Sequence, residues 1–438
     1  MELIITKTPI TNEVRIMIEQ TVLPFKLDAT QDAITPHAGL ALFGEFLRGI
    51  KIGAEIDLQL PAPGSGRGYD PSGFVAPLLL MLHGGGRALE DLRELAADSG
   101  LRELLGLERI PSPDAVGNWL RRTGSGRGLS GLGEVNRWLV AGALSREEET
   151  DYTLDIDATL IAAEKAAAAW TYQGFPGYAP MVGHLAENGL VVHEEFRAGN
   201  DSPGARNLEF LRGCVARMPS GKRIARFRSD SAAYQARVLD YCEDHGIEYS
   251  IGADLDEGVR KSLSTVESWR EYHDGLIGET SHSMEKSKHS FRLIAVKRPS
   301  QQSLFVETSP RIKVIATNRS GSAEEEVAWY NQRGECSENR IKELKRGLGM
   351  ERMPCGDFGG NAAFFRIGVL AYNLFVLFKL AALPAEWSRF QLGTVRWKLY
   401  EVAGKVVDHG NRVWLKVRRY WLELFASIRH RVYAFSYG

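Results

Sequence analysis

The chain has 438 residues, 44% hydrophobic and 25% charged, with 54 Lys plus Arg against 55 Asp plus Glu for a formal net charge of −1. These values exclude wholesale disorder and a uniformly basic nucleic-acid binder, and the length calls for one large domain with insertions or two to three smaller ones. The charge is uneven: from Ser388 onward there are ten Lys or Arg against three acids, and Arg206 to Arg228 holds seven more, so local patches could neutralise phosphates. The four cysteines form no CxxC pair, which argues against a zinc module or disulfide framework and fits a reducing cytoplasm. MELIITKTPI lacks the apolar core of a signal peptide, so no export is expected.

In chain order, the first 150 residues read as helices with good start signals. Thr35-Pro36 precedes HAGLALFGEFLRGI and Ser112-Pro113-Asp114 precedes AVGNWLRRTG; a hydroxyl can cap the first turn, and Pro is tolerated there. PAPGSGRGYDP, residues 61–71, is a turn-rich loop. The helices ALEDLRELAADSG, LRELLG and PDAVGNWLRR are spaced like a compact DNA-binding unit, and equally like any helical domain. His83-Gly84-Gly85-Gly86 imitates an oxyanion-hole motif, but no GxSxG elbow accompanies it; a glycine cluster at a helix C-terminus explains it better.

From Tyr152 the pattern changes. YTLDIDATL alternates as a strand, and APMVGHLAENGLVVHEEFRAG is two apolar runs joined by Asn188-Gly189, a strong hairpin signal. ARNLEFLRGCVARM has helical spacing, RIARFRSD reads as a strand, SAAYQARVLDYCEDHG as a helix ending at Gly246, and IEYSIGAD as a strand. Residues 255–310, with Trp269 and Tyr272, are polar and aperiodic and read as an insertion. RIKVIATN resumes the strand pattern, and SAEEEVAWYNQRGECSENRIKELKRGLG is a long polar helix opened by Ser322. Residues 362–383 are apolar but interrupted by Arg366, Asn373 and Lys379, so a buried helix is expected and no membrane span. TVRWKLYEVAGKVV and NRVWLKVRR read as a basic two-stranded ribbon, followed by the helix YWLELFASIRHRV.

The expected chemistry rests on three acids. Asp157 ends the first strand, Asp230 ends the fourth, and Glu338 lies in the long late helix. Mg²⁺ takes oxygen ligands, and two such ions can stabilise the attacking and leaving oxygens of an in-line phosphoryl displacement, so carboxylates converging at strand ends suit them. Periodicity does not choose between Asp155 and Asp157, since residues two apart share a strand face; Asp157 is preferred for its place beside the loop. Glu338, Lys342 and Lys345 share one helix face by their four and seven spacing.

LDIDATL, RFRSDSAAY and WYNQRGECSENRIKELKRGLG resemble the three conserved blocks of DDE transposases of bacterial insertion sequences, in the subgroup with a Tyr-Arg-Glu-Lys signature, over roughly residues 150 to 380. Tyr330 and Arg333 stand three apart and Glu338 and Lys345 seven apart, as in that signature. The signature sets its Glu four residues after its Arg, where this chain has Ser337; Glu338 is one later, with Glu335 as the alternative. The resemblance implies an α/β chain with an RNase H-like mixed sheet flanked by helices. A mainly helical DNA-end-binding region (1–150) would precede a catalytic core in two parts (151–254 and 311–384), split by an insertion subdomain (255–310) and followed by a basic ribbon and helix (385–438).

The resemblance further implies two Mg²⁺ ions, replaceable by Mn²⁺, on Asp157, Asp230 and Glu338, and phosphate contacts from Tyr330, Arg333, Lys342 and Lys345. It nominates Trp269 by location as an aromatic that stacks on an extruded base, beside the plainer reading of a core Trp. The substrate implied is double-stranded DNA, as inverted element ends and target, handled by a homodimer in the cytoplasm at the nucleoid without a membrane. Two rivals are a domesticated DNA-binding protein that no longer cuts and an RNase H-like nuclease without strand transfer.

Overall fold

Of the two helical start signals only the second is used as the sequence suggests, because Thr35 ends a short strand and the helix after it begins at Leu40 without a side-chain cap. The computed structural model describes residues 4–6, 15–17, 28–64, 68–299, 311–410 and 412–437. A hairpin, β1 (Ile4–Thr6) and β2 (Arg15–Met17), and the strand β3 (Ala33–Thr35) lead into α1 (Leu40–Gly49), α2 (Ile52–Gln59), α3 (Pro71–Gly84), α4 (Leu92–Ala97), α5 (Ser99–Leu105), α6 (Pro113–Thr123) and α7 (Arg127–Leu144). Ser112 caps α6, its Oγ accepting from the Ala115 N–H at 3.3 Å, with Pro113 in the first turn. ALEDLRELAADSG is not one helix: Asp98 leaves the helical conformation, and its carboxylate caps α5 by accepting from the Leu101 N–H at 2.9 Å.

His83 is a core residue, as the absence of a nucleophile elbow suggests. Gly85 ends α3 at φ 107°, a conformation suited to glycine. The buried His83 ring stacks on Phe43 at 3.7 Å between centroids, with Nδ1 3.2 Å from the Tyr400 hydroxyl and Nε2 3.1 Å from the Ala371 carbonyl. Burial, the largest cause, pushes its pKa down to about 3. Because the unfolded chain then binds the extra proton, this residue's contribution to stability is full above about pH 6.5 and is lost as pH falls toward 3, with a slope on the order of 1.4 kcal/mol per pH unit. Denaturant titrations at pH 7.5, 5.5 and 4.5 should show a shallower decline for His83→Gln than for the wild type. Equal slopes would place the acid sensitivity elsewhere.

The alternating region builds β4 (Asp151–Ala158), β5 (Ile161–Ala162), β6 (Ala169–Trp170), β7 (Pro176–Tyr178), β8 (Met181–Leu185), β9 (Val191–Glu195), α8 (Asn207–Ala216), β10 (Arg223–Ser229), α9 (Ala236–Asp244) and β11 (Glu248–Ala253). After them come α10 (Glu257–Leu263), β12 (Arg270–Tyr272), β13 (Gly275–His282), β14 (Phe291–Arg298) and β15 (Arg311–Thr317). The main sheet has the order β12-β13-β14-β15-β11-β10-β4-β8-β9. β4, β10 and β11 run parallel to their neighbours among themselves, and the flanking pairs are antiparallel. The Asn188-Gly189 turn joins β8 to β9, with Gly189 at φ 85° and the Asn188 side chain accepting from the Leu190 N–H.

Two expectations need correction. The described part of the expected insertion, residues 255–299, does not stand apart from the sheet: β12, β13 and β14 continue it, β14 pairing along β15. The apolar signal there is diluted because β13 lies near the sheet edge with much of one face in solvent. The basic ribbon is also shorter than TVRWKLYEVAGKVV suggests, because α13 (Leu392–Val395) and the wide turn at Arg396–Tyr400 are helical. The ribbon proper is β16 (Gly404–His409) and β17 (Arg412–Lys416), with β3 as a third strand, before α14 (Arg419–Tyr437).

Opposite faces of the sheet centre are covered by different helices. Gly183 of β8 leaves room for Cys214 and Phe210 of α8, and a Cβ there would meet the Cys214 sulfur at 2.7 Å. The alternate residues, His184 and Asp155, face α11 (Ala323–Lys342). Ser322 caps α11 in a reciprocal box with Glu325. The apolar helix α12 (Phe358–Ala381) is long and apolar enough to cross a membrane, but it is buried inside the fold. Its polar residues find partners there: Asn373 bonds Asn136 and the Val191 backbone, and Arg366 forms an ion pair with Glu194. One hydrophobic core, from Ala38 to Val432, joins the helical region to the sheet.

Candidate active site

Parallel neighbours end at the same edge of a sheet, and this brings two acids together. Asp157 is the penultimate residue of β4, and Asp230 directly follows β10, its neighbour. Asp230 caps the short turn Ser231–Ala233, Oδ1 accepting from the Ala232 N–H at 3.1 Å. Its other oxygen accepts no hydrogen bond from a described residue. Burial raises the Asp157 pKa to about 6; Arg333 pulls against that rise, and the negative charge of Asp230 adds to it.

Helix α11 lays Tyr330 and Arg333 over these carboxylates. Arg333 Nη2 is 3.5 Å from Asp157 Oδ2 and 3.2 Å from the Ile156 carbonyl, while its Nε is buried and bonds to nothing described. The Tyr330 hydroxyl sits against Gly252, where a Cβ would approach it to 2.8 Å and the Ser231 nitrogen to 3.2 Å, so β11 must present a glycine there. Burial raises the Tyr330 pKa, as does the negative charge of Asp230.

Asp155 is occupied differently. It is 0% exposed, and both of its oxygens accept from Arg228 of β10, at 2.7 and 2.9 Å. Arg228, 2% exposed, also donates to the Trp329 carbonyl, and His184 lies 3.9 Å from Asp155. This is a buried ion pair tying two strands to α11, with no oxygen left for a ligand. Sequence reading missed the pair because its two halves are 73 residues apart.

The stripe of α11 that faces the sheet continues to Ser337, 1% exposed, whose Oγ is 3.2 Å from His184 Nε2. Glu338, one residue on, is exposed, as is Lys342 on the same outer face. The structure therefore brings together Asp157, Asp230, Tyr330 and Arg333, and leaves Glu338 and Lys342 outside that group; the described residues hold no cluster of three metal-ligating side chains. The Glu335 side chain lies outside the described residues.

Lys345 sits in a wide π turn, Glu343–Gly347, in which the Leu348 N–H reaches back to the Glu343 carbonyl at 3.0 Å. Its Nζ donates to the Leu160 carbonyl at 2.7 Å, at the mouth of a cleft that begins beside Asp157. Trp269 is elsewhere: it packs on Gly278 with Lys297 Nζ 3.4 Å from its ring centre. That strand, β13, is five strands from β4, about 24 Å at ordinary spacing. The basic run from Arg206 is largely neutralised, with Arg206 on Glu195 and Asp201, Arg223 on Asp151, Arg226 on Glu187 and Arg228 on Asp155.

Paired aspartates at parallel strand ends, beneath a helix that supplies a buried arginine, form a site suited to handling charge on oxygen. No curated protein matches this sequence. Residues 22–433 match the family described as transposase DDE domain, group 1, and over that span, nearly the whole chain, the protein belongs to the DDE transposases.

Proposed function

We propose that this transposase nicks DNA at the ends of a mobile element of the bacterial insertion-sequence kind and joins the resulting 3′ hydroxyls to target DNA. The observation that carries the reading is the meeting of Asp157 and Asp230 on adjacent parallel strands with Arg333 beside them. The order β9-β8-β4-β10-β11 with α11 across it supports an RNase H-like core. Two aspartates offer the hard oxygen donors that Mg²⁺ or Mn²⁺ takes, and the raised Asp157 pKa reflects desolvation first and the neighbouring Asp230 charge second. When bound, such ions supply a more acidic water and neutralise the attacking and leaving oxygens.

The chain's own groups do the positioning. Asp157 and Asp230 hold their oxygens at one sheet edge, fixed by strand pairing and by the cap on Asp230. The buried Nε of Arg333 lacks an acceptor, and a phosphate oxygen would provide one. Tyr330 is placed to donate to the same phosphate, and Lys345 stands farther along the cleft. Glu338 is the third acid of this reading; a one-residue change in the register of α11 exchanges it for Ser337, and Lys342, on the same outer face, turns with it. Residues 1–150 and 385–438 would grip the inverted ends. Arg412, Lys416, Arg418 and Arg419 support the second of these, since none has an acidic partner among the described residues. A homodimer handling both ends, on cytoplasmic DNA, completes the proposal.

The exposed position of Glu338 favours a second reading, a domesticated DNA-binding protein that no longer cuts. The two separate in one assay. Purified chain given Mg²⁺ and its own element ends should produce 3′-hydroxyl nicks and joined products, chelation should stop both, and Glu338→Ala should be inert. Sequence-specific binding by the wild type without any cleavage in Mg²⁺ or Mn²⁺ would support the second reading.

A further inference from the structure

Two residues beyond Asp157 the chain leaves the main sheet and makes a small one of its own, in the order β5-β7-β6, before returning as β8. The tip of this flap is held by Thr171, whose N–H and hydroxyl both donate to the Phe175 carbonyl, at 2.8 and 2.9 Å, with Gly174 at φ 84°. Thr171 is buried, and the residues on either side of it, Trp170 and Tyr172, are 69% and 66% exposed. The flap thus presents two large aromatic rings to solvent on a firm turn.

Tyr172 lines the cleft of about 620 Å³ that starts at Ala158, together with Lys345, Glu351 and Arg352, and Trp170 stands two residues before it at the rim of the flap. A second cleft of about 700 Å³ shares Ala162, Glu351 and Arg352 with the first and adds Arg87, Arg121 and Lys165. Glu351 is matched by Arg87 at 3.7 Å, whereas Lys165 and Arg352 have no acidic partner among the described residues. Exposed aromatic rings and unmatched cations around adjoining clefts are the two components of a single-strand binding groove: rings stack on bases, and cations follow the phosphates. A double helix keeps its bases stacked on each other and offers these rings nothing comparable.

We propose that the flap and the adjoining clefts bind a short unpaired stretch of DNA next to the bond held at Asp157 and Asp230, its bases on Trp170 and Tyr172 and its phosphates along Lys345, Arg352 and Lys165. This rests on the reading of that site as a DNA-cutting centre. It assigns base stacking to the flap, on the catalytic side of the sheet, and leaves Trp269 in its packed position.

The test uses the full-length protein. In EDTA, where nothing can be cleaved, fluorescence anisotropy compares a labelled 12-nucleotide oligo-dT with a blunt duplex of the same length. The double variant W170A/Y172A should bind the single strand at least about tenfold more weakly, with duplex affinity changed less than twofold, and W170F/Y172F should recover most of the loss because any aromatic face suffices. K165A/R352A should flatten the salt dependence of single-strand binding by about 0.7 per charge removed. Unchanged single-strand affinity in W170A/Y172A, equal loss on both DNAs, or a shift from dimer to monomer with DNA binding intact would each overturn the proposal, the last by making the rings a contact between copies. Wild-type cleavage of element ends in Mg²⁺ is scored separately. If cleavage is present and stacking absent, only the flap inference fails; if no cleavage occurs under any condition, the reading of the site fails first.

Discussion

Asp157→Ala and Asp230→Ala should each lower metal-dependent DNA cleavage by a factor on the order of 10² to 10³ or more, the scale on which removing one transition-state charge stabiliser acts, while the protein remains folded. The second half of that statement separates catalysis from architecture. Asp157 is a partly buried acid whose pKa rises to about 6, so its ionised form is held at a cost in the metal-free protein. Removing it takes away that cost, and the melting temperature of Asp157→Ala without metal should equal or exceed that of the wild type. Wild-type protein should gain thermal stability on adding Mg²⁺, and neither variant should gain as much. A variant that cuts at the wild-type rate, or that unfolds, would remove that aspartate from the proposed centre.

Asp155 should behave in the opposite way. Asp155→Ala strands Arg228 as an unpaired buried cation, and Arg228→Ala strands the carboxylate; each should cost about 3–5 kcal/mol in urea unfolding. The loss belongs to the broken pair and not to either residue, so Asp155→Leu combined with Arg228→Met should recover much of it. Any fall in cleavage by the single variants should track the fraction folded at the assay temperature. Full stability in Asp155→Ala with cleavage abolished would reverse the assignment of Asp155 and Asp157.

These contrasting expectations show where sequence is informative and where it stops. Asp230 was readable because a strand, a following turn and a helix agree on it locally. The choice within LDID was not, because alternation puts Asp155 and Asp157 on one face, and the partner that distinguishes them sits on a strand begun more than 70 residues later. Tyr330 and Arg333, nominated by the family resemblance, lie on the inward stripe of α11, but the extra residue before Glu338 turns that carboxylate about 100° away from the position Ser337 holds. Trp269 was chosen by order along the chain, which does not report distance across a sheet. The flap aromatics went unnoticed because AAEKAAAAWTYQGFPGYAP has no periodicity, and its strands are only two or three residues long.

The wide turn at Glu343–Gly347 gives α11 a property that a regular helix lacks. Its Leu348 N–H reaches back five residues to the Glu343 carbonyl, one more than a regular turn spans, so the end of the helix holds an extra residue. A regular helix pinned at both ends has a fixed count between the pins, and any insertion or deletion pulls one of them loose. Here the pins are Arg333 on the Ile156 carbonyl and Lys345 on the Leu160 carbonyl, and the second pin lies inside the wide turn, where the backbone has already left the regular count. A helical wheel drawn at 3.6 residues per turn from Arg333 therefore misplaces the groups beyond Glu343, and the reach of Lys345 along the cleft is set by the wide turn and not by the helix alone.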